Sequence, residues 1–318
     1  MTDLAKRNAF EARKLGRLRQ WAMSYGKKKW IFLMLVPAII YYIIFKYIPM
    51  YGATLAFKDY HIKAGIWGSP WAGLKYFKQL FGMNSFIEVL GNTLLISLYK
   101  LCFGFPVPIL FAILLNEMRG NRVKKAVQTI SYLPHFLSWV VLASIFTQFL
   151  SPSTGPFVKL LEKMGIEPIY VLTSPKYFRS FLVLSSVWKS IGWGSIVYLG
   201  SLGNIDTELY DAASVDGCNR LQKIWHVTLP GLAPVITIML LLEIGKLLND
   251  DFDQIFNLYN GAVYRVGDVI STFIYRIGLL GVNYSLATAA GLFKNVLALI
   301  LILGANAITK RINDYGLW

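Results

Sequence analysis

Six stretches of this chain, near 30–48, 89–115, 126–150, 178–202, 232–248 and 286–309, are apolar over the length of a lipid bilayer. No other feature restricts folding as severely. Crossing the hydrocarbon takes about 20 mainly apolar residues as a helix. Lipid offers no partner to a backbone N–H or C=O, so each stretch must close its own hydrogen bonds. The expected fold class is therefore all-α, a polytopic membrane protein with six transmembrane helices. An even number of crossings leaves both termini on one side. Composition agrees, because 55% hydrophobic residues at a mean hydropathy of +0.50 exceed what a soluble chain of 318 residues normally buries.

Lys and Arg decide which side that is. Seventeen flank the spans on the side of the termini, nine of them before residue 30, against nine in the opposite loops. By the positive-inside rule, both termini and the loop at 202–230 are cytoplasmic. The organisation expected is a basic cytoplasmic segment at 1–29, a transmembrane domain at 30–309 and a cytoplasmic tail at 310–318. Within the first segment, Leu15, Leu18 and Trp21 recur at helical spacing beside Arg13, Lys14, Arg17 and Arg19. That pattern suits a basic helix on the inner leaflet and equally a tail that only orients the first span. No Ala-x-Ala site follows the first apolar segment, so cleavage as a signal peptide is not expected.

Several functions are excluded early. The formal charge of +15 is spread over span flanks and forms no basic soluble face, so no nucleic-acid partner is expected. Cys102 lies in a span and Cys218 in the cytoplasmic loop, while His61, His135 and His226 are scattered, so neither a disulfide nor a metal site is expected. No G-x-x-x-x-G-K-[ST] loop and no catalytic triad or carboxylate pair occurs. If ATP drives this chain, another chain binds it.

The loop between the fourth and fifth spans reads DAASVDGCNRLQKIWHVTLP from Asp211 to Pro230. Thr207 suits a helix N-cap with acid in the following turn. Ala212 and Ala213 permit close approach to another surface, Gly217 permits a left-handed exit, and Gln222 to Val227 suit a second short helix before Leu229 and Pro230. A helix-turn-helix projecting from the membrane is the expectation. The spacing of Asp211, Ala212, Ala213, Gly217, Val227, Leu229 and Pro230 resembles the EAA loop of bacterial ABC importer permeases, with Asp for the usual Glu and Val for the usual Ile.

The resemblance extends to PAIIYYIIFKYIPMYGATLAFK from Pro37, GIWGSPWAGL from Gly65, GFPVPILFAILLNE from Gly104, VQTISYLPHFLSWV from Val127 and YRVGDVISTFIY from Tyr264. These are similar to polysaccharide-type permeases of the carbohydrate-uptake family, relatives of the maltose-system permease. The resemblance implies a type I ABC importer permease fold in the bacterial cytoplasmic membrane. Its implied partners are a second homologous permease, two ATPase subunits and an extracytoplasmic solute-binding protein, with ATP and Mg on the ATPases and no cofactor on this chain. The cargo implied is an oligosaccharide. Alginate-derived, pectin-derived and neutral glycans all remain open.

Polar residues inside spans are costly and point to a path or a pairing. Lys189 and Trp193 stand one turn apart in WKSIGWG, next to Trp188, an arrangement suited to a sugar and equally to close helix packing at a membrane interface. Lys246 follows Glu243 by one turn and can pair with it. Lys189, Trp193, Trp188, Lys246 and Asn249 are the candidate path residues, and Asp250, Asp251 and Asp253 the candidate contacts for a binding protein at the outer end of the fifth span. A carrier driven by an ion gradient is the main alternative, but such proteins usually hold unpaired intramembrane acids. A membrane scaffold that merely docks soluble proteins is the third reading.

Overall fold

A computed structural model describes residues 29–167, 169–248 and 251–313. The basic segment before residue 29, Asn249 and Asp250 therefore lie outside the described residues. Described residues form helices and turns, with one isolated antiparallel bridge between Lys58 and Trp71. The chain divides into two compact units, 1–54 and 55–318.

Within the first unit, a helix over Lys29–Tyr42 widens to a π-helical turn at Ile43–Tyr47 and resumes at Ile48–Met50. The second unit has π turns at Lys100–Gly104, Ile224–Thr228 and Arg276–Leu280. Three of the four described π turns end two residues before a proline, namely Pro49, Pro106 and Pro230. The cause is local. A proline has no N–H to give the carbonyl four residues back and its ring crowds that carbonyl, which here is the middle residue of the π turn. Widening to five-residue spacing keeps the helix continuous, and Leu229 N–H bonds to Ile224 O.

Five helices are long and apolar enough to cross a membrane, Leu33–Phe57, Asn84–Glu117, Pro175–Leu202, Arg220–Gly245 and Tyr284–Ala307. They are spans 1, 2, 4, 5 and 6. Span 3 is a pair, Asn121–Phe136 and Trp139–Phe149, bent by 100°. A straight crossing was expected at 126–150. Pro134 withholds a hydrogen bond just before the first piece ends, and Ser138 starts the second by accepting from Val141 N. The fifth span also differs from expectation, reaching back to Arg220 instead of starting at 232. A further apolar helix, Ile270–Leu280, is too short to cross alone.

Span 4 is the axis of the second unit and packs on the Pro106–Glu117 half of span 2, on Asn121–Phe136 and on span 5. Between helices in lipid, contact depends on close van der Waals fit, which small residues allow. A Cβ on Gly192 would lie 2.3 Å from Ser131 O, and one on Gly194 3.1 Å from Pro108 Cγ. Three buried clusters run along the unit. Ile109, Ala112, Tyr198, Leu202 and Leu232 fill the end near residue 205, and Phe178, Leu182, Ile255 and Val269 belong to a second cluster. Phe86, Phe273, Leu286 and Ala290 belong to the third.

Candidate functional site

The loop between spans 4 and 5 folds as a tied knuckle. Its first helix is Thr207–Val215, and the N-cap is Asp206, not Thr207 as the residue types suggested. Asp206 is extended, and its carboxylate accepts from Glu208 N at 2.9 Å. An anion at the positive helix end is the stronger cap. The C-terminal end is a Schellman turn, with Cys218 N–H donating to Ala213 O at 2.9 Å and Gly217 N–H to Ser214 O at 3.2 Å. Gly217 sits at φ +78°, the left-handed geometry this turn requires.

The second arm starts at Arg220, with a capping box between Asn219 and Gln222. It does not end as a separate short helix at 222–227. Its α-helical turn Arg220–Lys223 passes through the π turn into span 5, because Pro230 in the first turn of a helix leaves no further donor unmet. Two side-chain bonds tie the arms, Tyr210 OH to Thr228 Oγ1 at 3.0 Å and Lys223 Nζ to Ser214 Oγ at 2.5 Å. Asp211 and Ala212 are exposed and Ala213 half-buried on the first arm, Val227 is half-buried, and Leu229 packs on the buried cluster around Leu202 and Leu232. The knuckle is thus joined rigidly to the bundle. Its outer surface carries Val215, Leu221 and Trp225, exposed to 88%, 77% and 69%.

A cavity of about 460 Å³ opens between spans 2, 4 and 5. Trp193 and Lys246, two of the expected path residues, line it together with His135, Lys100, Glu243 and Asp251. The His135 ring lies parallel to Trp193 with centroids 4.6 Å apart, and the half-exposed Trp193 supplies aromatic surface of the kind a sugar ring covers. Lys246 pairs with Glu243 at 3.4 Å, but both are well exposed and the pair contributes only about 0–1 kcal/mol.

Lys189 is placed otherwise. Its ammonium donates to the carbonyls of Pro134 at 3.3 Å, His135 at 3.0 Å and Leu137, and stands 5.5 Å over Trp139. It is spent on the break in span 3, at the end of Asn121–Phe136, where Pro134 O also accepts from Leu137 N at 3.3 Å. Trp188 sets its ring edge to Phe146 at 5.9 Å. Asn249 and Asp250 are not among the described residues. Asp253 is exposed, whereas Asp251 turns to the cavity and bonds Lys100 at 2.6 Å. Nothing in the local sequence pairs Lys100 with a residue 151 positions away.

Lys189→Met should loosen the break. Loss of three carbonyl contacts costs about 1–3 kcal/mol, read as a lower thermal midpoint in nanodiscs, with Lys189→Arg recovering most of it. An unchanged midpoint in the methionine variant would contradict the latch.

Five apolar helices of membrane-crossing length, a sixth crossing as a bent pair, a cavity between spans 2, 4 and 5 and a knuckle continuous with span 5 are the build of a transport permease. Residues 104–314 match the model for the binding-protein-dependent transport system inner membrane component. The chain belongs to that family, as a permease subunit of ABC importers. It is 41% identical over 303 residues to Protein LplB of Bacillus subtilis (strain 168), covering 95% of both chains. The polygalacturonan/rhamnogalacturonan transport system permease protein YteP of the same organism is 40% identical, covering 92% of this chain and 91% of that one. A chain in the crystal structure of a bacterial ABC transporter involved in the import of the acidic polysaccharide alginate superposes with a TM-score of 0.87 at 43% identity, covering 93% of this chain and 99% of that one. A second solved chain, from the bacterial alginate ABC transporter in complex with alginate pentasaccharide-bound periplasmic protein, gives 0.86 at 42%, with the same coverage.

Proposed function

We propose that this chain is one of two permease subunits in an ATP-driven importer of oligosaccharides, with both termini and the knuckle in the cytoplasm. The second permease faces it across the cavity. Two ATPase subunits, which hold ATP and Mg, engage the knuckles, and an extracytoplasmic binding protein delivers the glycan. The observation that carries this reading is the knuckle itself, because its tied arms leave Val215, Leu221 and Trp225 uncovered on a rigid support. Exposed apolar side chains on such a support suit burial by a partner.

The mechanism follows from continuity. Closure of the ATPases displaces the knuckle, and because Arg220–Gly245 is one helix, displacement at Leu221 reaches Glu243 and Lys246 at the cavity. Glycans are favoured as cargo by the Trp193–His135 face beside the hydroxyls of Ser186 and Ser190, and by the cargoes named for the relatives.

Leu221→Glu and Trp225→Glu should each abolish co-purification of the ATPase without lowering membrane levels, since neither side chain packs inside the bundle. Uptake into vesicles containing the assembled complex should require ATP and persist after the ion gradient is collapsed. Uptake driven by a gradient alone would establish the carrier instead.

A further inference from the structure

Lys100 is held by two unlike partners. Its ammonium bonds Asp251 Oδ2 at 2.6 Å and Gln254 Oε1 at 2.6 Å. Gln254 is fully buried, and its amide nitrogen is fixed by Leu182 O at 2.7 Å and Ser185 Oγ at 2.9 Å. That leaves its oxygen aimed at Lys100. Asp251 is the looser partner, with its side chain 43% exposed against 17% for Lys100 and a backbone in the left-handed region at φ 38°. Asp251 begins the helix Phe252–Leu258, whose Ile255 and Leu258 are buried and which packs on Trp139–Phe149. Both charged residues line the cavity.

We infer that the Lys100–Asp251 pair is a charge-sensitive latch, opened when a carboxylate of an acidic glycan replaces Asp251 on Lys100 and frees the segment from Asp251 to Leu258. The inference rests on the carbohydrate reading and narrows it to uronate-bearing cargo. Gln254 holds the ammonium until the carboxylate has replaced Asp251, and gives up its bonds to Lys100, Leu182 and Ser185 when the segment moves. A neutral sugar cannot make the exchange, because it brings no anion to replace Asp251 on the largely buried Lys100. Lys246, whose pair with Glu243 is weak, offers a second cation for the next carboxylate.

The test uses the complete transporter in nanodiscs, with Cys102 and Cys218 replaced by alanine and Leu258→Cys as reporter, since Leu258 is only 4% exposed. The rate of its modification by a hydrophilic maleimide is measured with trigalacturonate, with its neutral methyl ester and with neither. Trigalacturonate should accelerate labelling about fivefold, the factor a modest ion pair controls, and the ester should not. Asp251→Asn, which keeps shape and removes the competing charge, should label fast without any sugar, and Lys100→Gln should do the same. Equal acceleration by acid and ester, or an asparagine variant labelling at the parental rate, overturns the latch. ATP-driven uptake is measured in parallel. A complex that moves no glycan of either charge refutes the cargo reading, whereas one that moves glycans while labelling ignores their charge refutes the latch alone.

Discussion

Gly217→Val leaves the protein inserted and folded but lowers ATP-driven uptake by tenfold or more, while ATP hydrolysis by the complex continues without response to substrate. The residue stands at φ +78° with nothing within 4 Å of a would-be Cβ. Its replacement therefore meets no steric neighbour. The penalty is conformational, about 1–2 kcal/mol for an L-residue in the left-handed region and greatest for a β-branched one. The turn can relieve it only by giving up the Schellman bonds to Ala213 and Ser214, which alters the angle between the knuckle's arms. Gly217→Asn, which tolerates that region, should keep most of the coupling. The measurements are substrate-stimulated ATPase activity and uptake in the same proteoliposomes. Normal stimulation in the valine variant would show that the turn does not transmit force.

Gly192→Val acts through the opposite physics and should prevent a stable bundle. Here the would-be Cβ falls 2.3 Å from the carbonyl oxygen and 2.5 Å from the carbonyl carbon of Ser131, backbone atoms that no rotamer change can move aside. The two helices must part, and with them go the Lys189 bonds and the His135–Trp193 stack. Overpacking at such a contact costs about 3 kcal/mol or more. The expected result is loss of most folded protein after detergent extraction, scored by size-exclusion chromatography. Gly200→Val on the same helix meets nothing within 4 Å and should extract normally. Equal yields of the two variants would show that span 4 does not depend on this approach.

Much of the architecture was legible in residue order, because lipid enforces a simple rule. A helix that must satisfy its own backbone in hydrocarbon announces itself as an apolar run, so span 4, expected at 178–202, is found at Pro175–Leu202. The knuckle was legible for a related reason. Its turn is local, and Gly217 marks the one place where φ must be positive. Errors clustered at prolines. Pro134 coincides with a 100° break, while Pro49, Pro106 and Pro230 are absorbed as π turns in continuous helices. What differs is whether the neighbours support bending, and Lys189, arriving from another span, supports it at the Pro134 break alone among the four.

From its sequence alone, then, this protein is a polytopic helical permease with a helical turn between spans 4 and 5, since burial in lipid and local backbone geometry are both written in short stretches of chain. Only the tertiary structure decides what its intramembrane charges do. Lys189 goes to a helix break and Lys100 to Asp251, 151 residues away, because an ammonium in lipid takes whichever acceptor packing brings within 3 Å or so. Chain order does not encode that distance.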